Sequence, residues 1–87
     1  MGNDNFLQKL SDARKMLDDE MVRAEQGSSK HSIKQLERIK NELIKMESIQ
    51  NSNIFLPAFP RSIADSWDHT DPLGLALMKI YYTYEKL

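Results

Sequence analysis

The sequence predicts an all-α fold, a long antiparallel helical hairpin followed by an apolar C-terminal helix. The arrangement is three-helix-bundle-like, and a proline-containing strap with a short helical turn joins its two parts. Three observations carry this expectation. Only three Gly and three Pro occur in 87 residues, and β-branched runs are few. Apolar residues recur at intervals of three and four over two long stretches, the spacing that puts them on one face of a helix. The most apolar run, Asp71–Leu87, opens on Asp-Pro, a helix-start pair. A chain of this length is one domain, 1–87.

The first helix spans about 4–26. Asn3, Asp4 and Asn5 offer N-caps, and Phe6, Leu10, Ala13, Leu17, Met21 and Ala24 make the apolar stripe. At ~1.5 Å per residue it exceeds 30 Å, long for so small a domain. Gly27 suits the left-handed conformation that ends helices. Residues 27–31 form a turn short enough to join antiparallel neighbours, which places His31 in an exposed loop. The second helix spans about 32–50. Ser32 and Gln35 fit a capping box, and Ile33, Leu36, Ile39, Leu43, Met46 and Ile49 form its stripe.

The strap covers about 51–70. Pro57 and Pro60 oppose a regular helix, yet Ile54, Phe55, Leu56 and Phe59 are too apolar for a free loop. The expectation is a segment lying on the hairpin with its Phe rings inserted. A helical turn then opens at Ser62 and runs through Trp67. The last helix, about 71–87, carries two stripes at about 100° per residue. Leu73, Leu77, Ile80, Tyr81, Tyr84 and Leu87 form one, with the Tyr81 and Tyr84 hydroxyls expected in water. Leu75, Met78 and Tyr82 form another on nearly the opposite side. A helix on the outside of a bundle needs only one stripe, so the second is expected to meet the strap or another molecule.

Composition narrows the function. Twelve Lys and Arg against thirteen Asp and Glu leave a formal charge of −1, without the basic excess of a general nucleic-acid binder. With no cysteine there is no disulfide and no thiolate metal site. No run approaches the ~18 apolar residues of a membrane span, and no signal-peptide pattern opens the chain. Met1-Gly2 begins like a myristoylation signal, but Phe6 stands where Ser or Thr is required. A cytoplasmic protein without membrane attachment is expected.

The segment from Asp65 to Asp71 gathers carboxylates, His69, Trp67 and hydroxyls, and a divalent metal could take His69 with Asp65 or Asp68. Its spacing matches no metal-site signature. Asp65 and Asp71 are better read as helix caps, and Trp67 as an anchor of the strap. No P-loop, dinucleotide fingerprint or nucleophile elbow is present. Pro57 and Pro60 have a P-x-x-P spacing, but their Phe neighbours favour packing. In the second helix Glu37, Glu42 and Glu47 interleave with Lys34, Arg38, Lys40 and Lys45, which argues against phosphate binding.

The expectation is a non-enzymatic protein-interaction protein, adaptor-like or regulatory, with no cofactor and no small-molecule substrate. It would form a homodimer through apolar helical surfaces, and its interface would draw on Leu75, Met78, Tyr82, Phe55, Phe59 and Trp67. A nucleic-acid-associated regulator is the alternative, and an enzyme or metal-binding protein using Asp65–His69 the third.

Overall fold

The computed structural model describes residues 2–87, with side chains from Asp4 onward. Among them are four helices and no strand: α1 (Gly2–Glu25), α2 (Ile33–Ile49), α3 (Phe59–Ser66) and α4 (Pro72–Glu85). The fold is therefore the all-α, bundle-like class that the periodicity predicts. α1 packs along both α2 and α4, and α3 rests on α4. The long N-terminal helix is thus the shared element, with the C-terminal helix laid against it.

Local chemistry sets most helix ends. α1 already includes Gly2, so Asp4 and Asn5 stand in its first turn and do not cap it. The Asn3 side chain lies outside the described residues. α1 stops at Gly27, whose φ is +77°. The Ser28 N–H donates to the Arg23 carbonyl and the Gly27 N–H to that of Ala24, the paired bonds of a Schellman ending. Ser32 caps α2 by accepting from the Gln35 N–H at 3.1 Å. Gln50 ends α2 in the left-handed region, at φ 48°, and its N–H donates to the Met46 carbonyl. Asp71 caps α4, accepting from the N–H groups of Leu73 and Gly74.

The helix in the strap departs from expectation. α3 begins at Phe59 and not at Ser62, so Ser62 lies inside it. Pro60 is tolerated because it stands in the first turn, where no intrahelical acceptor awaits its missing N–H. Ala58 precedes the helix with no side-chain cap of its own. The cap comes from α2: the Glu42 carboxylate accepts from the N–H of Ala58 at 2.5 Å and of Phe59 at 3.0 Å. A negative charge there also meets the positive end of the α3 dipole.

One core unites the elements. Phe6, Leu10 and Leu17 of α1, Leu36, Leu43 and Met46 of α2, Phe59 of α3, and Leu77, Ile80 and Tyr84 of α4 are almost wholly buried. The Phe6 and Tyr84 rings meet at 5.7 Å between centroids. Tyr84 does not hold its hydroxyl in water. The hydroxyl lies 3.0 Å from the Asn51 carbonyl and 2.7 Å from that of Phe55, and its single proton is shared between them. This contact ties the strap to α4. Lys40–Asp18 at 3.1 Å and Arg14–Glu47 at 3.6 Å join α1 to α2. Both pairs are exposed, so each is worth about 0–1 kcal/mol.

Candidate functional site

The outer face of α4 is one apolar surface that the packing leaves open; Ile54 and Leu56 of the strap, 72% and 62% exposed, are others. Leu73, Leu77, Ile80 and Tyr84 turn inward. Leu75 and Tyr82, seven residues apart, stand on the opposite side and are 51% and 54% exposed. Met78 is half-buried beside them. The expected second stripe is therefore real, and the strap does not close over it. α3 instead forms one wall of a shallow concavity of about 320 Å³ next to it, lined by Ile63, Ala64, Trp67, Gly74, Met78 and Tyr82 among others. A second groove of about 450 Å³ lies on the other side of Leu75, between α4 and α1, with Ala13, Ala76, Lys9 and Lys79 in its lining.

Of the six residues expected at an interface, Leu75, Met78 and Tyr82 are brought together here. Phe59 and Trp67 are 2% and 7% exposed: they belong to the core, as the reading of an inserted Phe ring and an anchoring Trp has it, and not to an exposed interface. Their aromatic size suits a core as well as an interface. Phe55 is half-buried, with the Lys45 ammonium 5.5 Å from its ring centroid.

The floor of the concavity is held from behind. The His31 and Trp67 rings stack at 3.8 Å between centroids, only 20° from parallel. His31 Nε2 is 2.9 Å from Asp71 Oδ2, while Asp71 Oδ1 caps α4. His31 is therefore not the exposed loop residue that its turn position suggests; its side chain is 10% exposed. Its backbone N–H donates to Ser29 Oγ, and the Ser29 hydroxyl donates in turn to the Glu20 carboxylate. The α1–α2 turn is so tied to the start of α4. On Trp67, Nε1 is buried and has no hydrogen-bond partner among the described residues.

These ties shift two carboxyls. Burial raises the Asp71 carboxyl, but hydrogen bonds from His31 and the Gly74 and Leu73 N–H groups, with the charge of His31, outweigh it and hold it below the usual aspartate value. For Glu20 the Ser29 hydrogen bond is the main cause of a lowered value, opposed by burial and aided by Arg23 and His31. A carboxyl lowered on folding adds stability above its unfolded value, and that stability is lost as pH falls through the folded value. Stability should therefore fall as the pH drops below about 4. Asp71→Ala should cost about 0.5–2 kcal/mol from the cap alone at neutral pH. It should also flatten the acid limb, as followed by urea midpoints across pH.

Asp68 and Asp71, within the cluster from Asp65 to Asp71, are taken up by structural tasks. Asp68 accepts from the Thr70 N–H and hydroxyl, and Asp71 serves α4 and His31. His69 is exposed, and Asp65, near the C-terminal end of α3, caps no helix. Among the described residues no group of three His, Cys, Asp or Glu side chains could hold a metal ion. No helix there is long and apolar enough to cross a membrane. No protein-family model, curated protein or solved structure matches this chain.

Proposed function

We propose that this chain is a non-enzymatic protein-interaction module, adaptor-like or regulatory, that docks a helical partner on the outer face of α4. The observation that carries the proposal is the pairing of half-exposed Leu75 and Tyr82 with a firmly backed apolar concavity. Apolar anchors beside a preformed hollow are what a helix-in-groove contact requires. Self-association into a homodimer is one form of the proposal; a heterologous helix is the other.

Light scattering behind size exclusion, with Tyr82→Asp and Leu75→Asp, tests the face. Both side chains point away from the core, so both variants should keep the wild-type helical signal, and their melting temperature should fall only by what dimerisation adds to the wild type. If the chain self-associates here, loss of the Tyr82 anchor should weaken the dimer at least 30-fold, about 2 kcal/mol. A dimer that survives both substitutions would place self-association elsewhere and overturn the homodimer form of the proposal.

A second proposal, nucleic-acid binding, gains from one observation. Glu42 is engaged by the start of α3 and Glu47 by Arg14, while Lys40 is paired with Asp18. Lys34, Arg38 and Lys45 follow one another along the exposed side of α2 and make no ion pair among the described residues. Three phosphate contacts would give a slope of about −3 for log affinity against log salt. Stepwise salt elution from heparin checks this, and release at low salt would remove the proposal.

A further inference from the structure

We infer that the occupant of the α4 face is an amphipathic helix of another protein, with carboxylates along one edge, and not a second copy of this chain. This rests on α4 being the docking face. Lys79 and Lys86 each follow an apolar anchor, Leu75 and Tyr82, by four residues, so both flank the stripe on the same edge. Lys9 of α1 lines the groove on that edge with Lys79. None of the three lysines makes an ion pair among the described residues.

The carboxylates nearby do not balance them. Asp12 lies in the same groove and keeps its charge while its Oδ1 accepts from the Gln8 amide at 3.1 Å, so it offsets one of the three lysines and leaves two. Glu85 stands towards the other edge, against Tyr81, whose hydroxyl it raises after burial has done so. Asp68, which accepts from Thr70 and stays charged, lies in the concavity with Trp67 and not in the groove that Lys9 and Lys79 line. A chain with a net charge of −1 thus presents a locally cationic margin beside its exposed apolar stripe.

Self-pairing meets that margin badly. Taking Leu75 and Tyr82 as a positions and Met78 as d, Lys79 and Lys86 are both e positions, and Glu85 is the second d, which an antiparallel copy would set against an apolar a residue. An antiparallel contact between two copies of α4 sets e against e, which gathers four ammonium groups at one seam. A parallel contact sets e against g, where Gly74 and Tyr81 stand and offer no carboxylate. A partner helix with Leu, Met or aromatic residues at i, i+3 and i+7 and Glu or Asp along one edge satisfies both the stripe and the lysines. Complementary flanking charges of this kind select partner and orientation.

The test uses two fluorescein-labelled helical peptides of about 20 residues, long enough to populate helix in water. They share one apolar stripe; one carries Glu along the flanking edge and the other Lys. Fluorescence anisotropy is read with the full chain, its K79E/K86E variant and its L75D/Y82D variant. The Glu-edged peptide should bind the wild type at least tenfold tighter than the Lys-edged one. K79E/K86E should invert that order, and L75D/Y82D should abolish binding of both. Equal affinities, or an order unchanged by K79E/K86E, would overturn the inference. If neither peptide binds and the wild type is a dimer that Tyr82→Asp disperses, the occupant is a second copy; the inference falls and the docking face stands. If neither binds and the chain is a monomer at every concentration, both fall.

Discussion

Tyr84→Ala is expected to remove about 3–5 kcal/mol of stability, the range for deleting a large buried aromatic. A single domain of this size holds little more than that, so the variant should show a broadened or absent urea transition. The physical reason is that Tyr84 serves two joints at once. Its ring packs on Phe6 of α1, and its hydroxyl receives the strap at Asn51 and Phe55. Tyr84→Phe separates the two. It keeps the ring and should cost about 1–3 kcal/mol, the penalty of leaving a buried acceptor unpaired. Most of that cost falls at Phe55, since the Asn51 carbonyl still accepts from the N–H groups of Ile54 and Phe55. Equilibrium unfolding in urea reads both variants. If Tyr84→Phe were neutral, the strap would be held by its apolar contacts alone.

Trp67→Ala should cost a similar 3–5 kcal/mol, with a wider structural consequence. The indole stacks on His31 from the α1–α2 turn and lies against Gly74 of α4. Without it, His31 loses its stacking partner, and the concavity beside the Leu75–Tyr82 face loses the indole that lines it. Circular dichroism melting measures the loss, since the variant has no tryptophan left to follow by fluorescence. Gly74→Ala probes the same joint by crowding it. A Cβ at position 74 would stand 3.1 Å from Trp67 Cε3 and 3.6 Å from Ile63. Alanine gains about 1 kcal/mol in helix propensity, while overpacking a joint already pinned by His31 costs about 1–3 kcal/mol. Net destabilisation is expected. A stabilised Gly74→Ala would show that Trp67 yields easily and that the floor of the concavity is soft.

What the residues determined by themselves is the local part. Ser32, Asp71 and Gly27 cap or end their helices through bonds to neighbours within five residues, and the apolar spacing of each helix names its buried face. The exposed stripe on α4 was legible for the same reason: Leu75 and Tyr82 lie opposite Leu77 and Ile80 on any regular helix. The exposure of Leu75 and Tyr82, with Met78 half-buried beside them, could be read this way. Phe59 and Trp67 allowed two readings, inserted anchors of the strap or parts of an interface, because hydrophobic size alone does not say which side of a surface a ring occupies, and burial selects the first.

Only the tertiary structure decided the contacts that join distant segments. α3 starts at Phe59 because Glu42, on another helix, supplies the cap that Ala58 lacks. His31 leaves its turn to meet Trp67 and Asp71, the latter 40 residues away. Glu42 and Glu47 interleave with basic residues in sequence but are drawn to Ala58, Phe59 and Arg14 in space. A helix periodicity is set by backbone geometry within each turn, whereas these pairings depend on where whole helices come to rest.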